Sequence, residues 1–218
     1  MIAGQSNAAG HGVLLQHYPY SGIVAGVYRV ADQAWHNAID PIASPGQGEG
    51  SVWPLVAQNW IDANATPVGF IPTAVGGTSI LSWQPVTGAN YVAMKAAIEA
   101  AGVPIKAILW WQGEYEASGG VVDQAYYHDK LATLAAGVWS DFDCPLVVAK
   151  LQYAAGYSDA RTDVINAAIE QAYDDVAHVM PGPDLSVMRT DPDPNHLISD
   201  DKIHLAANLW WQAIAALP

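Results

Sequence analysis

Short apolar runs alternate with longer segments of helical period over most of the chain, and this alternation limits the fold more than any other feature. The runs are nearly continuous in apolar residues, as expected of strands buried on both faces; they span 67–74, 105–111, 146–151 and, more weakly, 177–180. The segments with helical spacing are 51–64, 91–101, 122–139, 159–174 and 205–217. Strands and helices in series predict right-handed crossovers and a parallel, flavodoxin-like sheet. We therefore expect an α/β fold, a three-layer α/β/α sandwich.

The N-terminal strand of such a sheet is expected to be short. Only Met1, Ile2 and Ala3 precede the turn that begins at Gly4, too few for a full central strand. Either the strand is stunted or the chain is part of a longer protein, and we favour the second interpretation. No repeat, linker or change in composition divides the sequence, so residues 1–218 are predicted to form one domain.

Composition and charge exclude several classes of protein. Apolar residues make up 51% of the 218 residues and charged residues 13%, which excludes general disorder. The formal charge of -13 argues against nucleic acid and anionic membranes as partners. No apolar run reaches the roughly 18 residues of a membrane span, and no signal peptide is visible at the start of the chain. Cys144 is the only cysteine, which we expect to be a buried strand residue without a metal-binding role.

Chemically active residues follow the predicted strands. A hydroxyl nucleophile needs a base, an acid that orients the base, and donors for the oxyanion. Ser6 follows the first strand, and His204 precedes the final helix with Asp201 three residues before it. That spacing lets one turn present both side chains, so Asp201 could hold the imidazole of His204. The pattern predicts nucleophilic catalysis with Ser6 as nucleophile and His204 as base.

Two further motifs follow the next strands. Gly76-Gly77-Thr78-Ser79 comes after the 67–74 strand, and a glycine there can turn a backbone N–H into a site. Gln112-Gly113-Glu114 comes after the 105–111 strand and offers an amide donor beside a carboxylate. Each motif alone is common, but all of them at corresponding ends of strands indicate one catalytic centre.

These motifs together resemble the SGNH hydrolases. Gly-Gln-Ser-Asn at 4–7, Gly-Gly-Thr-Ser with a following Trp83, Trp-Trp-Gln-Gly-Glu at 110–114 and Asp-x-x-His near the C-terminus carry the resemblance. The branch most similar is the sialate O-acetylesterase and acetylxylan esterase group, carbohydrate esterase family six and its relatives. Gly-Gln-Ser-Asn and Gln-Gly-Glu are specific to this branch. The resemblance extends from Gly4 to the last helix.

The resemblance implies a role for each residue. Ser6 is the nucleophile and its backbone N–H contributes to the oxyanion hole, with Gly77, or alternatively Gly76, as a second donor. Gln112 supplies a side-chain donor to the same hole. His204 acts as general base and then as general acid. Asp201 orients it, with Glu114 as the rival acid.

Other readings of the sequence were weighed against these. His196 is a rival base, but the acid three residues before it, Asp193, lies in a turn broken by prolines, so His204 is favoured. Gly46, Gly48 and Gly50 miss the dinucleotide-binding spacing, and 191–202 lacks the glycine and glutamate of a calcium loop. Trp83, beside the glycine pair, and Asn7, after the nucleophile, are candidate substrate contacts.

The predicted activity is hydrolysis of O-acetyl esters on a carbohydrate, such as acetylated sialic acid or xylan, without a metal or a cofactor. Acyl groups of lipids or thioesters are less favoured, because no long apolar lid is visible. The rival class is an inactive carbohydrate-binding module of a larger cell-surface or phage structural protein. An acetylated carbohydrate is the expected partner, and a longer polypeptide or a homo-oligomer remains open, as does an extracellular or cell-surface location.

Overall fold

The computed structural model describes residues 1–12, 25–42, 49–154, 156–190, 196–197 and 199–218. The strands are β1 (Ile2–Gly4), β2 (Ala25–Arg29), β3 (Ala34–Asn37), β4 (Val68–Phe70), β5 (Ile108–Trp111), β6 (Leu146–Lys150) and β7 (Val179–Asp184). The helices are α1 (Ser6–Ala9), α2 (Trp53–Asn64), α3 (Ala89–Ala101), α4 (Glu114–Ser118), α5 (Gln124–Phe142), α6 (Asp159–Asp175) and α7 (Asp200–Ala215). Single 3-10 turns cover Ile80–Trp83 and Leu185–Val187.

The central sheet is parallel and has the predicted α/β architecture. Four strands pair in the order β1-β5-β6-β7, all parallel. A second group pairs in the order β3-β2-β4, in which only β3 runs antiparallel to its neighbour. Helix α2 packs against α7, and α5 packs against α6, so the helices form two groups that cover the sheet. The predicted fold class is confirmed.

Strand β1 is short but has hydrogen-bonded neighbours on both sides. On one side it pairs with β5, with Ile2 opposite Leu109 and Gly4 opposite Trp111. On the other side it meets the chain that continues from β4. The Ile2 N–H donates to the Ile71 carbonyl at 3.0 Å, and the Thr73 N–H donates to the Ile2 carbonyl at 3.0 Å. Three residues are therefore enough to place β1 between β4 and β5.

The position of β1 determines where a site can form. Strand β4 lies on one side of β1, and β5, β6 and β7 lie on the other side. In open α/β sheets, the crevice at the carboxyl ends of strands where the order reverses is the usual binding site. Gly4 is the last residue of β1, and Ser6 follows two residues later.

The boundaries of most predicted elements agree with the structure to within a few residues, with two differences. Helix α7 begins at Asp200 rather than at Leu205. Helix α2 begins at Trp53 rather than at Ser51, which lies before the N-cap, Val52, and accepts a 3.4 Å hydrogen bond from the Trp53 N–H. Strands β2 and β3 and the short helices α1 and α4 were not predicted.

Candidate active site

Ser6 lies in a turn that is fastened to the end of β5. The Gln5 N–H donates to the Trp111 carbonyl at 3.0 Å, and the Gln5 side-chain oxygen accepts from the Tyr115 N–H at 3.1 Å. A Cβ atom on Gly4, whose φ is +127°, would lie 2.0 Å from the Trp111 carbonyl oxygen. Only glycine allows this close approach of the two strand ends. Neighbouring backbone thus holds the Ser6 turn, although β1 itself is short.

A cavity of about 510 Å³ opens beside Ser6. Its size is typical of small-molecule sites, which commonly measure several hundred Å³. The wall contains residues from five separate segments of the chain, among them Ser6, His11, Gly76, Gly77, Glu114 and His196. The cavity therefore brings together a hydroxyl, two imidazoles, a carboxyl group and a glycine turn.

Glu114 is the buried carboxyl group of this cavity. It is the first residue of α4 and is only 3% exposed. Its Oε1 atom accepts hydrogen bonds from Asn7 Nδ2 at 3.1 Å and from Gln152 Nε2 at 3.3 Å. Its Oε2 atom is buried and has no hydrogen-bond partner within the described ranges of the chain. Burial raises the pKa of Glu114, although the Asn7 and Gln152 hydrogen bonds act in the opposite direction. The open oxygen can accept a proton donor such as an imidazole N–H.

The structure places His204 and Asp201 away from this cavity. Because α7 begins at Asp200, both residues lie inside a helix rather than in a turn before it. The His204 side chain is 47% exposed, and its Nε2 is 3.7 Å from Asp200 Oδ1. Asp201 is also exposed, and neither residue contributes to the wall of the Ser6 cavity. The structure thus does not bring the favoured base and acid to Ser6.

His196, and not His204, lies in the wall of the cavity beside Ser6. It lies four residues before α7, lines the Ser6 cavity, and stacks on His11 with ring centroids 4.7 Å apart. Asp193, three residues before it, lies outside the described residues, as do Gly46, Gly48 and half of the segment 191–202. The sequence contains Asp-x-x-His at 193–196 and at 201–204, besides a copy farther upstream at 175–178. The start of α7 at Asp200 separates the two C-terminal copies, because the helix includes 201–204 and begins after 193–196.

The glycine pair, Gly76 and Gly77, also lines the cavity. The Val75 N–H donates to the Gly4 carbonyl at 3.0 Å, which anchors this loop to the end of β1. Gly77 has a φ of +69°, and a Cβ atom there would meet no atom within 4 Å. Glycine therefore suits position 77 because of the left-handed backbone conformation, and not because neighbouring atoms would clash with a side chain. Gly76 and Gly77 therefore present backbone at the cavity near Ser6.

Gln112 is buried beneath this loop and its amide hydrogens have other acceptors. Its Nε2 donates to Glu116 Oε2 at 2.6 Å and to the Thr78 carbonyl at 2.9 Å. Its Oε1 accepts from the Tyr127 hydroxyl at 3.1 Å. Gln112 does not contribute to the cavity wall. In this arrangement it connects β5 to the glycine loop, and the structure does not aim its amide at an oxyanion.

The two candidate substrate contacts are both interior. Trp83 is fully buried, packs edge-on against Trp110 with centroids 5.4 Å apart, and donates from Nε1 to Thr78 Oγ1 at 3.1 Å. It cannot stack on a sugar from this position. Asn7 is 6% exposed and donates to Glu114. The structure thus gives both residues supporting positions in place of the predicted substrate contacts.

The described part of the chain offers neither a metal site nor a membrane-spanning helix. No cluster of three or more histidine, cysteine or acidic side chains is arranged there to hold a metal ion. Cys144 is buried, and its burial raises the pKa of the thiol to about 11. None of the helices in the described ranges combines the length and apolar character that crossing a membrane requires.

Comparisons with known proteins agree with the fold and the motifs. The family model of carbohydrate esterases described as sialic acid-specific acetylesterases matches residues 1–215. A probable carbohydrate esterase of Arabidopsis thaliana is 26% identical over 184 residues, covering 73% of this chain and 70% of that protein.

Solved structures show the same fold at low sequence identity. An Arabidopsis thaliana protein superposes with a TM-score of 0.76 at 21% identity, over 100% of this chain and 97% of that chain. A carbohydrate acetylesterase from Xanthomonas citri gives 0.62 at 13%, over 99% and 55%. Another, from Sinorhizobium meliloti, gives 0.60 at 12%, over 90% and 99%. The chain belongs to the carbohydrate esterase family of sialic acid-specific acetylesterases and is a carboxylic ester hydrolase.

Proposed function

We propose that this chain removes O-acetyl groups from a carbohydrate through an acetyl-Ser6 intermediate, with residues 1–218 acting as one catalytic unit. The observation that carries the proposal is the cavity of about 510 Å³ where Ser6, His196 and Glu114 meet the glycine pair. The family and the named acetylesterases of similar fold support acetyl as the acyl group and a carbohydrate as its carrier. Acetylated sialic acid and acetylated xylan are the substrates to examine first.

The proposed reaction has two steps. Ser6 Oγ attacks the acetyl carbonyl carbon while His196 takes the hydroxyl proton, and His196 then returns that proton to the departing sugar oxygen. Water next attacks the carbonyl carbon of acetyl-Ser6 while His196 takes a proton from the water. The bond to Ser6 Oγ then breaks, His196 returns the proton to Ser6 Oγ, and acetate leaves. Backbone N–H groups of Ser6 and Gly77, or Gly76 in its place, stabilise the negative charge on the carbonyl oxygen in both steps.

Glu114 is the acid that we propose to orient His196, in preference to Asp201. Both Glu114 and His196 line the cavity, and Glu114 Oε2 is buried without a partner. An ionised carboxylate beside the imidazole would stabilise the imidazolium that forms during acylation. Asp201 is exposed on α7 and lines no part of the cavity.

The experiment that tests this assignment compares His196→Ala with His204→Ala. Turnover of p-nitrophenyl acetate and of an acetylated sugar is measured for both variants. Loss of a triad histidine typically lowers kcat by about 10⁴- to 10⁶-fold, so we expect His196→Ala to be nearly inactive. His204→Ala is the matched control and should stay within about twofold of wild type, since surface substitutions seldom change the fold. An inactive His204→Ala together with an active His196→Ala would contradict the proposal.

A further inference from the structure

A second histidine, which the proposed mechanism does not use, lies in the wall of the same cavity. The ring of His11 is nearly parallel to that of His196, with an interplanar angle of 15° and centroids 4.7 Å apart. His11 Nδ1 is also 3.2 Å from Glu49 Oε2. The His196 ring therefore stacks on the His11 ring, and the Glu49 carboxylate contacts His11 in turn.

The backbone on both sides of His11 is fixed. Gly10 ends α1 in the left-handed conformation, with φ +104°, and its N–H donates to the Ser6 carbonyl at 3.0 Å. Gly12 and Gly50 exchange two backbone hydrogen bonds, of 2.8 and 3.0 Å. His11 thus stands at a defined place between the nucleophile's helix and a paired segment.

The segment that carries the base packs directly on this backbone. A Cβ atom on Gly12 would lie 2.8 Å from the carbonyl oxygen of Leu197, the neighbour of His196. It would also lie 2.7 Å from Ile203 Cδ1, in the first turns of α7. The chain that follows Ser6 therefore touches the chain that follows His196, with His11 beside this contact.

From this arrangement we propose that His11 is a positioning residue, whose flat ring sets the orientation of the His196 imidazole relative to Ser6. The inference rests on the proposed function, since it assigns His196 the role of base. Glu49 holds the His11 ring by its Nδ1, and the stacked face of His11 restricts rotation of the His196 ring. A misplacement of a reacting group by about 1 Å can cost about 10²-fold in rate.

An alternative is that His11 is itself the base, because it too has an acid partner. The two roles differ in what they require of the side chain. A base needs a titratable nitrogen, whereas a positioning residue of this kind needs a flat ring. Phenylalanine supplies the ring without the nitrogen, so His11→Phe separates the two roles.

The experiment measures kcat and KM for p-nitrophenyl acetate with wild type, His11→Ala, His11→Phe and Glu49→Gln, together with the thermal midpoint of each. We expect His11→Ala to lower kcat by about 10- to 100-fold at a nearly unchanged KM. His11→Phe should recover kcat to within about threefold of wild type, and Glu49→Gln should fall between the two. If His11→Ala fails to fold, His11→Leu keeps the bulk without the flat ring and takes its place.

Two results would overturn the inference. If His11→Ala keeps its kcat within twofold of wild type, the stacked ring has no positioning role. If His11→Phe is as slow as His11→Ala, the rate depends on a ring nitrogen of His11 or its charge, and the flat shape of the ring does not explain the effect. Failure of the proposed function would look different, because His196→Ala would then remain active or wild type would not hydrolyse the ester.

Discussion

The side-chain amide of Asn7 donates a 3.1 Å hydrogen bond to Oε1 of Glu114, across the ends of β1 and β5. This bond joins the residue that follows the proposed nucleophile to the buried carboxyl group of the cavity. Gln152, after β6, donates to the same oxygen at 3.3 Å. With Oε1 held from two sides, the orientation of Glu114 is fixed and its second oxygen remains for another donor.

This relationship predicts which acid matters for catalysis. Glu114→Gln should lower kcat by at least about 10²-fold, because an amide cannot stabilise the imidazolium as a carboxylate does; in serine proteases the equivalent change costs about 10⁴-fold. Asp201→Asn, the matched control on α7, should stay within about twofold of wild type. Steady-state kinetics on an acetyl ester decide between them. The account is contradicted if Asp201→Asn is nearly inactive and Glu114→Gln nearly normal.

Burial of Glu114 also predicts a dependence of stability on pH. Burial raises the pKa of Glu114 in the folded chain above its ordinary value of 4.5, so the folded state binds the proton more tightly than the unfolded state does. Its contribution to stability is fully present below pH 4.5 and is lost as the pH rises through the folded-state pKa. Relative to Glu114→Gln, wild type should therefore lose stability as the pH rises above 4.5.

Denaturant unfolding of both proteins at several pH values measures this difference. The comparison isolates Glu114, because the other titrating groups are common to the two proteins. A difference in unfolding free energy that is constant with pH, or that favours wild type more as the pH rises, would show that the carboxyl group is not buried as described.

Gln112 is expected to act through its neighbours. Gln112→Ala removes donors to Glu116 and to the Thr78 carbonyl, so it should cost about 1–3 kcal/mol of stability for the buried groups left unpaired. We expect kcat to fall by only about 10-fold, through a looser glycine loop. A fall of 10²- to 10³-fold in kcat at unchanged stability is the signature of a direct oxyanion donor, and it would contradict this assignment. Unfolding and kinetic measurements on the one variant give both quantities.

Much of the fold could be predicted because its central strands are uniformly apolar. Trp110 and Trp111 in β5 and Val147 and Val148 in β6 are all fully buried, and nothing else in the sequence competes with that pattern. Strands β2 and β3 were missed because they mix apolar residues with Arg29 and His36. Their pairing depends on a tertiary contact, in which the Trp35 ring covers two glycines of the neighbouring strands.

The sequence pointed to the segments that line the cavity beside Ser6, but not to the right choice among similar residues. The Asp-x-x-His spacing favoured 201–204, and only the start of α7 at Asp200 shows that this copy is helical and exposed. The choice between Glu114 and Asp201 depends on which carboxyl group reaches the cavity. Glu114 reaches it because β5, which precedes this residue, pairs with β1. The sequence predicts Gln112 as an oxyanion donor, whereas in the structure its amide donates to Glu116 and to the Thr78 carbonyl.

The central claim is that Ser6 carries the acetyl group during hydrolysis. The most direct measurement is acetate released from an acetylated carbohydrate by wild type and by Ser6→Ala, with acid-quenched protein examined by mass spectrometry for acetyl-Ser6. The account predicts that wild type releases acetate and forms the acetylated serine. Ser6→Ala should stay folded, form no such adduct and lose about 10⁴- to 10⁶-fold in kcat. A folded Ser6→Ala protein that keeps more than a tenth of wild-type turnover would contradict the account.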